Sequence, residues 1–497
     1  MRSDIEEMSN LDSISRRQQH HLGKTAFWIL LLLCAGVPRV LAALCLPNEE
    51  GDPYSYLQAI EVMRASLNGG TFTLSELFGF WLPLYQFVCA LISLVVGNTL
   101  YVAKLVSAVC GTGVCLLVFA VSARLTANRN ISLLAFALIS FNPIHIMYSG
   151  FSMSDVPHAL FVMSSLYFAI SRRWVAAAGM VAIGGLIRPE SWLFVLLLPV
   201  LQWFIQRRIS LTAFFIAASS PLLWIYISWA ASGNPLEYFK VRNEYIAELL
   251  RGAPGLANLT ASVVLVDMRT LIYSTGPAVI VACLLGAVLI IKRRHSDASD
   301  SSTVITVTYF LSALSFLLVA YFTKNQPAIF ARYCLVLFAL GLPVLAWDLL
   351  VIREWKRPWM LGINSALAVL CLLQFGFQLR DGASFIRHVG QKRMVAEYLK
   401  EHAQIGLGRK IYCEDDTVRT LAGIPADSFV SSPASPIDST SFLKYLEENS
   451  VEYLVYEKRN PSAAVRLFSE LGEDRIAALF QLAASTNLDL KVYRLVF

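Results

Sequence analysis

Residues 49–56, Glu49-Glu50-Gly51-Asp52-Pro53-Tyr54-Ser55-Tyr56, follow an apolar run (residues 27–46) that is long enough to cross a bilayer. They place three carboxylates within four residues, in a chain that is 56% hydrophobic. A charge beside hydrocarbon is costly, so it commonly marks the path of an ion, a proton or a substrate. Gly51 and Pro53 flank Asp52 and predict a fixed turn that presents its side chain. The alternative is that the acids at this helix exit are simply solvated.

The composition of the whole chain indicates a polytopic membrane protein. Of the 497 residues only 15% are charged, against about 25% in soluble domains. Basic cytoplasmic loops explain the net charge of +6, which therefore implies no nucleic acid. Residues 1–24 are polar, and the run after them is too long for a signal-peptide core, so we expect a cytoplasmic tail and a retained first helix. The nine cysteines show no disulfide or zinc spacing.

Further apolar runs follow, and basic clusters between them define an orientation. The runs are residues 81–97, 99–122, 131–147, 155–170, 174–187, 191–206, 211–230, 270–291, 303–322, 333–351 and 359–378. Basic pairs recur at every second junction from Arg124 onward, which places those junctions in the cytoplasm. This parity requires one non-spanning run: either 81–97, as a re-entrant or interfacial element, or 131–147, which Asn142-Pro143 interrupts. We predict a mainly α-helical transmembrane bundle of about 11 spans over residues 25–379.

The chain changes character near residue 380. Helical patterns at 384–402, 440–449 and 463–471 alternate with strand patterns at 410–413, 451–456 and 488–497. Such alternation is typical of α/β domains. We predict a soluble α/β domain, residues 380–497, on the extracytoplasmic side. The same side would hold the loops 47–80, 148–155, 231–269 and 323–332.

Polar side chains of these outer loops are the candidates for chemistry. Residues 54–67 and 74–80 have the pattern of interfacial amphipathic helices, with Glu76 on a polar face. The loop that runs from Tyr148 to His158 contains Asp155 at a predicted helix start. A helix cap is the alternative role for Asp155.

Two arginines break the charge rule because they lie on the outer side. Arg188 joins two short apolar runs, and Arg332 precedes another. Such a charge needs compensation, and Glu190 is one partner for Arg188. A phosphate is the functional alternative, since a guanidinium binds phosphate through two parallel hydrogen bonds. Outward arginines and aspartates together predict a site for an anionic lipid headgroup and a hydroxyl.

Five short motifs occur in an order that resembles a known superfamily. They are the acidic stretch after the first helix, Trp-Leu-Pro-Leu-Tyr (81–85), Ser-Met-Ser-Asp (152–155), Leu-Ile-Arg-Pro-Glu (186–190) and Ala-Arg-Tyr (331–333). Over residues 25–350 the chain resembles the GT-C superfamily of polytopic membrane glycosyltransferases, which use polyprenyl-phosphate sugars. The nearest branch is glycosyltransferase family 39 with its bacterial aminoarabinose- and mannosyltransferase-like relatives. The carboxyl-terminal part resembles the small extracytoplasmic domain of many bacterial members.

The resemblance implies roles for individual residues. Asp52 corresponds to the catalytic base of the first outer loop, and Asp155 corresponds to the second-loop acid that supports the site or a metal. Arg188 and Arg332 would lie near the donor phosphate. No metal-ligand cluster compels a cation, and a divalent cation is left open as a cofactor.

One departure from the family pattern concerns the first loop. Many members have Asp-Glu there, whereas here the acids precede Asp52, so Glu50 is an alternative match. The aromatic residues after Asp52 favour Asp52. The substrate-binding residues that we predict are Glu50, Tyr54, Glu76, Tyr148, His158, Arg188 and Arg332.

Together these patterns predict an inverting glycosyltransferase of the inner or plasma membrane, acting on a lipid, glycan or protein hydroxyl at the outer face. The donor phosphate leaves as an anion without a general acid, so arginines suffice to stabilise it and one carboxylate suffices as base. A lipid or solute transporter or flippase is the main alternative, although paired broken helices with midplane charges are not visible. A catalytically silent scaffold presenting the α/β domain is a third interpretation.

Overall fold

The computed structural model describes residues 25–48, 51–252, 260–293, 301–326, 328–353, 357–403, 408–430, 438–457, 463–471, 473–486 and 490–495. The predicted tail, residues 1–24, and Glu50 lie outside these ranges.

Helices make up most of the described residues before 403. Their bounds are α1 Thr25–Cys45, α2 Asp52–Gly69, α3 Leu84–Val96, α4 Thr99–Thr126, α5 Arg129–Ser140, α6 Pro143–Ser149, α7 Asp155–Ile170, α8 Trp174–Gly185, α9 Leu193–Gln206, α10 Leu211–Ser232, α11 Glu237–Gly252, α12 Ala261–Thr275, α13 Pro277–Arg293, α14 Ser301–Phe322, α15 Cys334–Ile352 and α16 Arg357–His402. Short 3₁₀ turns occupy Leu74–Leu77, Pro189–Trp192 and Ala331–Tyr333.

The chain is an integral membrane protein with six to eight candidate spans in its described part. Six helices are long and apolar enough to cross a membrane, and two bent pairs, α5 with α6 (60°) and α12 with α13 (82°), make eight. The helices α3, α7 and α8 are apolar but shorter, at 10–17 residues. Our expectation of about 11 spans included α7 and α8. The exact number of crossings therefore stays a prediction.

The two runs that we considered as the non-spanning element differ in form: 81–97 contains one short continuous helix, α3, whereas 131–147 is broken. α3 packs on α2 and on the first turns of α4, where the Tyr85 hydroxyl donates to the Ala103 carbonyl at 3.0 Å. The run 131–147 breaks after Ser140, because Asn142 caps α6 by accepting from the His145 N–H at 2.9 Å, and Pro143 has no N–H for α5. Which of the two runs fails to span therefore stays a prediction.

The predicted span at 270–291 is wrong as a single helix. α12 already begins at Ala261, inside the predicted loop 231–269, and that loop also contains α11. Gly276 separates α12 from α13. Its φ is +95°, a backbone conformation that residues other than glycine rarely adopt. The hydropathy pattern does not distinguish a sharp bend at a glycine from a continuous helix.

A buried arginine stabilises the break between α5 and α6. Arg39 on α1 is fully buried, and it donates to the carbonyls of Ile139 at 3.0 Å and Ser140 at 3.2 Å, where α5 ends. It also lies 2.8 Å from Nδ1 of His145 on α6. Backbone carbonyls at membrane depth have no water to bind, so Arg39 supplies their hydrogen bonds.

Helix α15 forms the centre of the bundle and packs against α4, α5, α7, α13 and α14. Within Ala331–Ile352, 83% of the most apolar 18-residue stretch is buried inside the protein. A Cβ at Gly341 would stand only 2.2 Å from a Val279 methyl on α13, so the small residue permits this close approach. The packing holds the starts of α7 and α15 in one cluster, which contains Met153, Val156 and Leu335.

The residues after 403 form a mixed α/β unit. Its strands are β1 Lys410–Tyr412, β2 Phe429–Val430, β3 Val451–Glu457, β4 Phe480–Ser485 and β5 Leu490–Leu495, and its helices are α17 Asp416–Ala422, α18 Ser439–Glu448, α19 Ala463–Glu470 and α20 Glu473–Leu479. The order is β2-β1-β3-β5-β4, parallel between β1 and both β2 and β3, and antiparallel for β3–β5 and β5–β4. Since side chains alternate along a strand, Leu454 faces α18 and α19 while Tyr453 faces α16. The strands predicted at 410–413, 451–456 and 488–497 are present as β1, β3 and β5, and β2 and β4 were missed.

The helical bundle and the carboxyl-terminal α/β unit share one helix. α16 is 46 residues long and crosses our predicted boundary at residues 379 and 380 without a break. At 1.5 Å per residue it extends about 69 Å. The division into residues 25–379 and 380–497 stays a prediction, but the two parts are joined by a rigid element rather than a linker.

Gly150→Ala is expected to destabilise the protein. A Cβ at residue 150 would lie 2.8 Å from the backbone carbonyl carbon of Ala42 on α1, which cannot yield without moving the helix. Overpacking of this kind costs about 1–3 kcal/mol, so the midpoint of thermal unfolding in detergent should fall. Gly179→Ala is the control, because no atom lies within 4 Å of its new Cβ. Equal midpoints for the two variants would contradict the close contact between α1 and residue 150.

Candidate active site

A cavity of about 220 Å³ lies where several segments that we predicted to face outward meet. Its walls come from the starts of α2 and α7, the turn before α9, α11 and the segment before α15. They contain Asp52, Tyr56, Phe80, Trp81, Leu82, Met153, Asp155, Ile187, Arg188, Pro189, Glu190, Tyr238, Arg242, Ile246, Gln326, Phe330, Arg332 and Tyr333.

The first ion pair in the cavity joins Asp52 to Arg332. Oδ2 of Asp52 lies 2.6 Å from Nη2 of Arg332, and the side chains are 32% and 12% exposed, respectively. The Arg332 guanidinium also lies over the rings of Phe330 and Tyr333, at 4.8 and 5.2 Å from their centroids. The arginine is therefore fixed by its surroundings, whereas the carboxylate keeps access to the cavity.

The second group of charges in the cavity consists of Arg188, Asp155 and Glu190. Nη1 of Arg188 lies 2.5 Å from Oδ1 of Asp155, and Nε and Nη2 of Arg188 donate to the two oxygens of Glu190 at 3.2 and 2.8 Å. Burial raises the pKa of the Glu190 carboxyl, but the charge and hydrogen bonds of Arg188 outweigh burial and lower that pKa to about 2. Glu190 is thus ionised at neutral pH. The other oxygen of Asp155, Oδ2, is buried and makes no hydrogen bond.

Local backbone geometry sets the position of each aspartate. Gly51 has a φ of +81°, and Pro53 lies in the first turn of α2, where its missing N–H costs nothing. The turn that we predicted around Asp52 is limited to Gly51, because Asp52 already begins the helix α2. Asp155 lies inside the first turn of α7, and Ser154 occupies the cap position. The carboxylate of Asp155 therefore serves Arg188 rather than the helix end.

Side-chain hydrogen bonds tie the first outer loop to the second. The hydroxyls of Tyr56 and Ser154 lie 2.7 Å apart. Asn48 donates to the Ser152 hydroxyl at 3.1 Å and accepts from the Ser152 N–H at 3.0 Å. These contacts hold the start of α2 against the start of α7, so both aspartates face one cavity.

Comparison with solved structures decides the fold family. ArnT from Cupriavidus metallidurans bound to undecaprenyl phosphate matches with a TM-score of 0.57 and 13% identity, over 95% of this chain and 98% of that one. The archaeal oligosaccharyltransferase AglB from Archaeoglobus fulgidus, in complex with an inhibitory peptide and a dolichol-phosphate, matches with a TM-score of 0.55 and 12% identity, over 87% of this chain and 69% of that one. The chain has the GT-C glycosyltransferase fold.

The resemblance drawn from five short motifs is thus confirmed for the fold. No family model matches the sequence, and no curated protein matches it. At this low identity the shared GT-C architecture is visible in coordinates while most side chains differ.

The GT-C fold brings four of the predicted site residues together, namely Asp52, Asp155, Arg188 and Arg332. His158 lies one turn after Asp155, with its Nε2 at 2.9 Å from the Ser191 hydroxyl. It lines a smaller neighbouring cavity of about 60 Å³, which Asp155, Arg188 and Arg332 also reach.

Three predicted substrate ligands lie elsewhere, and Glu50 is outside the described residues. Tyr54 lines a separate cavity of about 730 Å³. It lies two residues from both Asp52 and Tyr56 on α2, and side chains two residues apart on a helix point in nearly opposite directions. Glu76 accepts hydrogen bonds from Ser66 at 2.7 Å and from the Thr73 N–H at 3.3 Å, as part of a capping box. Tyr148 packs on Phe151 in an apolar cluster, with ring centroids 5.3 Å apart. Their binding roles stay predictions.

Several cavity residues were missed by sequence reasoning. Arg242 and Tyr238 lie on α11, inside a segment that we read as loop, and Gln326 precedes Arg332. Tyr56 was noted only as an aromatic neighbour of Asp52. The available signal was the amphipathic pattern of residues 237–252, which combines charged residues with Tyr238, Phe239 and Ile246.

The carboxylates of the cavity are engaged by arginines rather than gathered as metal ligands. In the described residues no group of three or more histidine, cysteine, aspartate or glutamate side chains is arranged to hold a metal ion. Asp52, Asp155 and Glu190 each contact a guanidinium instead. The residues present do not fit a dedicated cation site.

Arg188→Gln is expected to destabilise the protein strongly. The change leaves the buried Asp155 and the partly exposed Glu190 without their cation, and a buried pair that loses one partner costs about 3–5 kcal/mol. Arg64→Gln is the control, since Arg64 faces Glu61 at 3.5 Å in an exposed pair that is worth about 0.2–1 kcal/mol. Thermal unfolding in detergent at neutral pH measures both. Similar losses in the two variants would contradict the structural role of the cluster.

Proposed function

We propose that this protein is an inverting glycosyltransferase that moves a sugar from a polyprenyl-phosphate donor to a hydroxyl acceptor. The observation that carries the proposal is the Asp52–Arg332 contact of 2.6 Å on the wall of a cavity that also holds Arg188 and Asp155. Asp52 would act as the base and Arg332 would bind the phosphate. Because these two side chains are in direct contact, the arrangement suits transfer of a sugar from a phosphate to an alcohol.

The form of the cavities supports a lipid-linked donor. The 60 Å³ cavity continues from Arg188 and Arg332 into an apolar space between α14 and α15, lined by Phe316, Leu317 and Val336 among others. An anionic headgroup would meet the arginines while its chain follows the apolar wall. ArnT binds undecaprenyl phosphate and AglB binds a dolichol-phosphate in the matching structures, which favours a polyprenyl chain here.

The ion pairs of the cavity indicate how binding of the donor would make Asp52 available as the base. Three carboxylates and three guanidiniums line the cavity. Each aspartate forms an ion pair with an arginine that would otherwise be available to bind a phosphate. A donor phosphate that binds Arg332 takes over the hydrogen bonds of the guanidinium from Asp52. The released carboxylate then has a free oxygen for an acceptor hydroxyl.

The reaction follows from these positions. The acceptor oxygen attacks the anomeric carbon while Asp52 takes its proton, and the bond from the anomeric carbon to the phosphate oxygen breaks. The electron pair leaves with the phosphate, and Arg332 and Arg188 stabilise that charge. Attack opposite the leaving group inverts the anomeric centre.

We also propose that the cavity opens on the extracytoplasmic side of the inner or plasma membrane. Asp155 begins α7, whereas Arg124 lies over the Tyr167 ring, 4.0 Å from its centroid, near the other end of that helix. The 16 residues of α7 separate the two ends by about 24 Å. Basic residues mark the cytoplasmic end of such helices, so the cavity faces outward.

A lipid or solute transporter without transferase activity is the competing proposal. Its charges would lie near the membrane midplane, where they line a path through the protein. The clustering of acids and arginines in loops at one end of the bundle favours transfer chemistry instead. The sugar, a hexose or pentose of mannosyl or aminoarabinosyl type by resemblance, and the acceptor are to be identified by activity screens.

Asp52→Asn is expected to abolish transfer while donor binding is retained or becomes tighter, because the amide no longer competes as a charge for Arg332. The amide keeps the shape of the side chain but cannot accept the hydroxyl proton, and loss of a general base lowers rates by about 10²–10⁴-fold. Sugar release from a radiolabelled polyprenyl-phosphate donor measures the rate in membrane vesicles. Glu237→Gln, on α11 and paired with Lys240 at 3.5 Å, is the control and should keep full activity. Undiminished transfer by Asp52→Asn would refute the base assignment.

Arg332→Gln is expected to weaken binding of polyprenyl phosphate by roughly 10- to 100-fold, since a hydrogen bond between charged groups contributes about 1.5–3 kcal/mol. Tryptophan fluorescence during titration with undecaprenyl phosphate in detergent measures the dissociation constant. Arg124→Gln, at the opposite end of the bundle, should bind like the wild type. A dissociation constant that does not change for Arg332→Gln would remove Arg332 from the donor site.

A further inference from the structure

The soluble unit makes a direct hydrogen bond to the loop that carries Asp52. The backbone N–H of Gly51 donates to Oγ1 of Thr417 at 3.0 Å, across 366 residues of sequence. Thr417 lies in the first turn of α17 and is fully buried. A residue of the α/β unit therefore contacts the residue immediately before the aspartate.

The bonded amide belongs to the turn that positions Asp52. Gly51 caps α2 with no side-chain hydrogen bond of its own, and its carbonyl accepts from the Tyr54 N–H at 3.0 Å. Its positive φ departs from the helical conformation that follows. The hydroxyl of Thr417 accepts the hydrogen bond of this N–H and so fixes the direction in which it points.

Thr417 is itself held in place by buried charges. Asp415 caps α17 by accepting from the Val418 N–H at 2.8 Å. Lys392 on α16 forms an ion pair with the same Asp415 and lies 3.6 Å from Glu457 on β3. Leu421, one turn after Thr417, packs into the apolar cluster of α2 and α3. A continuous set of contacts thus links the long helix α16 to the turn at Gly51.

We propose that Thr417 is a positioning residue that fixes the Gly51–Asp52 turn, so that the soluble unit completes the site at which Asp52 meets Arg332. The proposal rests on the role proposed above for Asp52. Thr417 does not line the cavity, so it acts only through the backbone of Gly51. The consequence for function is that the α/β unit sets the orientation of the base.

Three full-length variants test this contact. Thr417→Val removes the hydroxyl at nearly constant volume, and Thr417→Ser retains it. Thr420→Val is the matched control, because Thr420 lies on the same helix and its buried hydroxyl makes no hydrogen bond. Hydrogen–deuterium exchange of the peptide spanning residues 47–56, in detergent, reports on the turn independently of any activity.

In Thr417→Val, exchange in residues 47–56 should rise about tenfold or more, while Thr417→Ser and Thr420→Val stay within about twofold of the wild type. The turnover number for sugar transfer from undecaprenyl-phosphate donors should fall about 10- to 100-fold in Thr417→Val alone. Its Michaelis constant for the donor should remain unchanged, because the phosphate ligands are intact.

Three other results would each contradict a different claim: the contact, the positioning role or the proposed function. Unaltered exchange in Thr417→Val overturns the contact itself. Increased exchange with a turnover number equal to that of Thr420→Val overturns the positioning role. Increased exchange in a protein whose wild type transfers no sugar rejects the proposed function but leaves the contact between the soluble unit and the turn established.

Discussion

A charged side chain at the rim of a membrane bundle is stable only when an opposite charge meets it, and this constraint organises the molecule. Arg332 and Arg188 are mostly buried, and each contacts an aspartate from a different loop. The cost of leaving any one of these charges alone is several kcal/mol. The contacts that assemble the site are therefore also contacts that hold α2, α7 and α15 together.

The second constraint is that every backbone group at membrane depth needs a hydrogen-bond partner. The loops that reach the site begin or end at broken helices, and each break is satisfied by a specific side chain. Arg39 binds the carbonyls that end α5, Asn142 starts α6, and Thr417 binds the amide of Gly51. Irregular backbone near the cavity is thus maintained by residues that do not line the cavity, one of them from the α/β unit.

Much of the site was predictable because its residues are unusual in their surroundings. Asp52, Asp155, Arg188 and Arg332 stand out as charges beside apolar runs, and motif order connected them to the GT-C fold. Prediction failed where the surroundings were ordinary. Arg242 looks like any charge on an amphipathic helix, and choosing Tyr56 over Tyr54 requires knowing which face of α2 meets α7.

The sequence by itself determined the membrane character of the chain, most of its helical runs, the start of a helix after Gly51 and the presence of charges beside apolar runs. These are properties of composition and of neighbouring residues, which hydropathy and local backbone preference control. Only the tertiary structure decided that Asp52 pairs with Arg332, that Asp155 and Glu190 share Arg188, and that Thr417 reaches Gly51. Such pairings depend on how distant helices pack, and many different packings satisfy the same hydrophobic pattern.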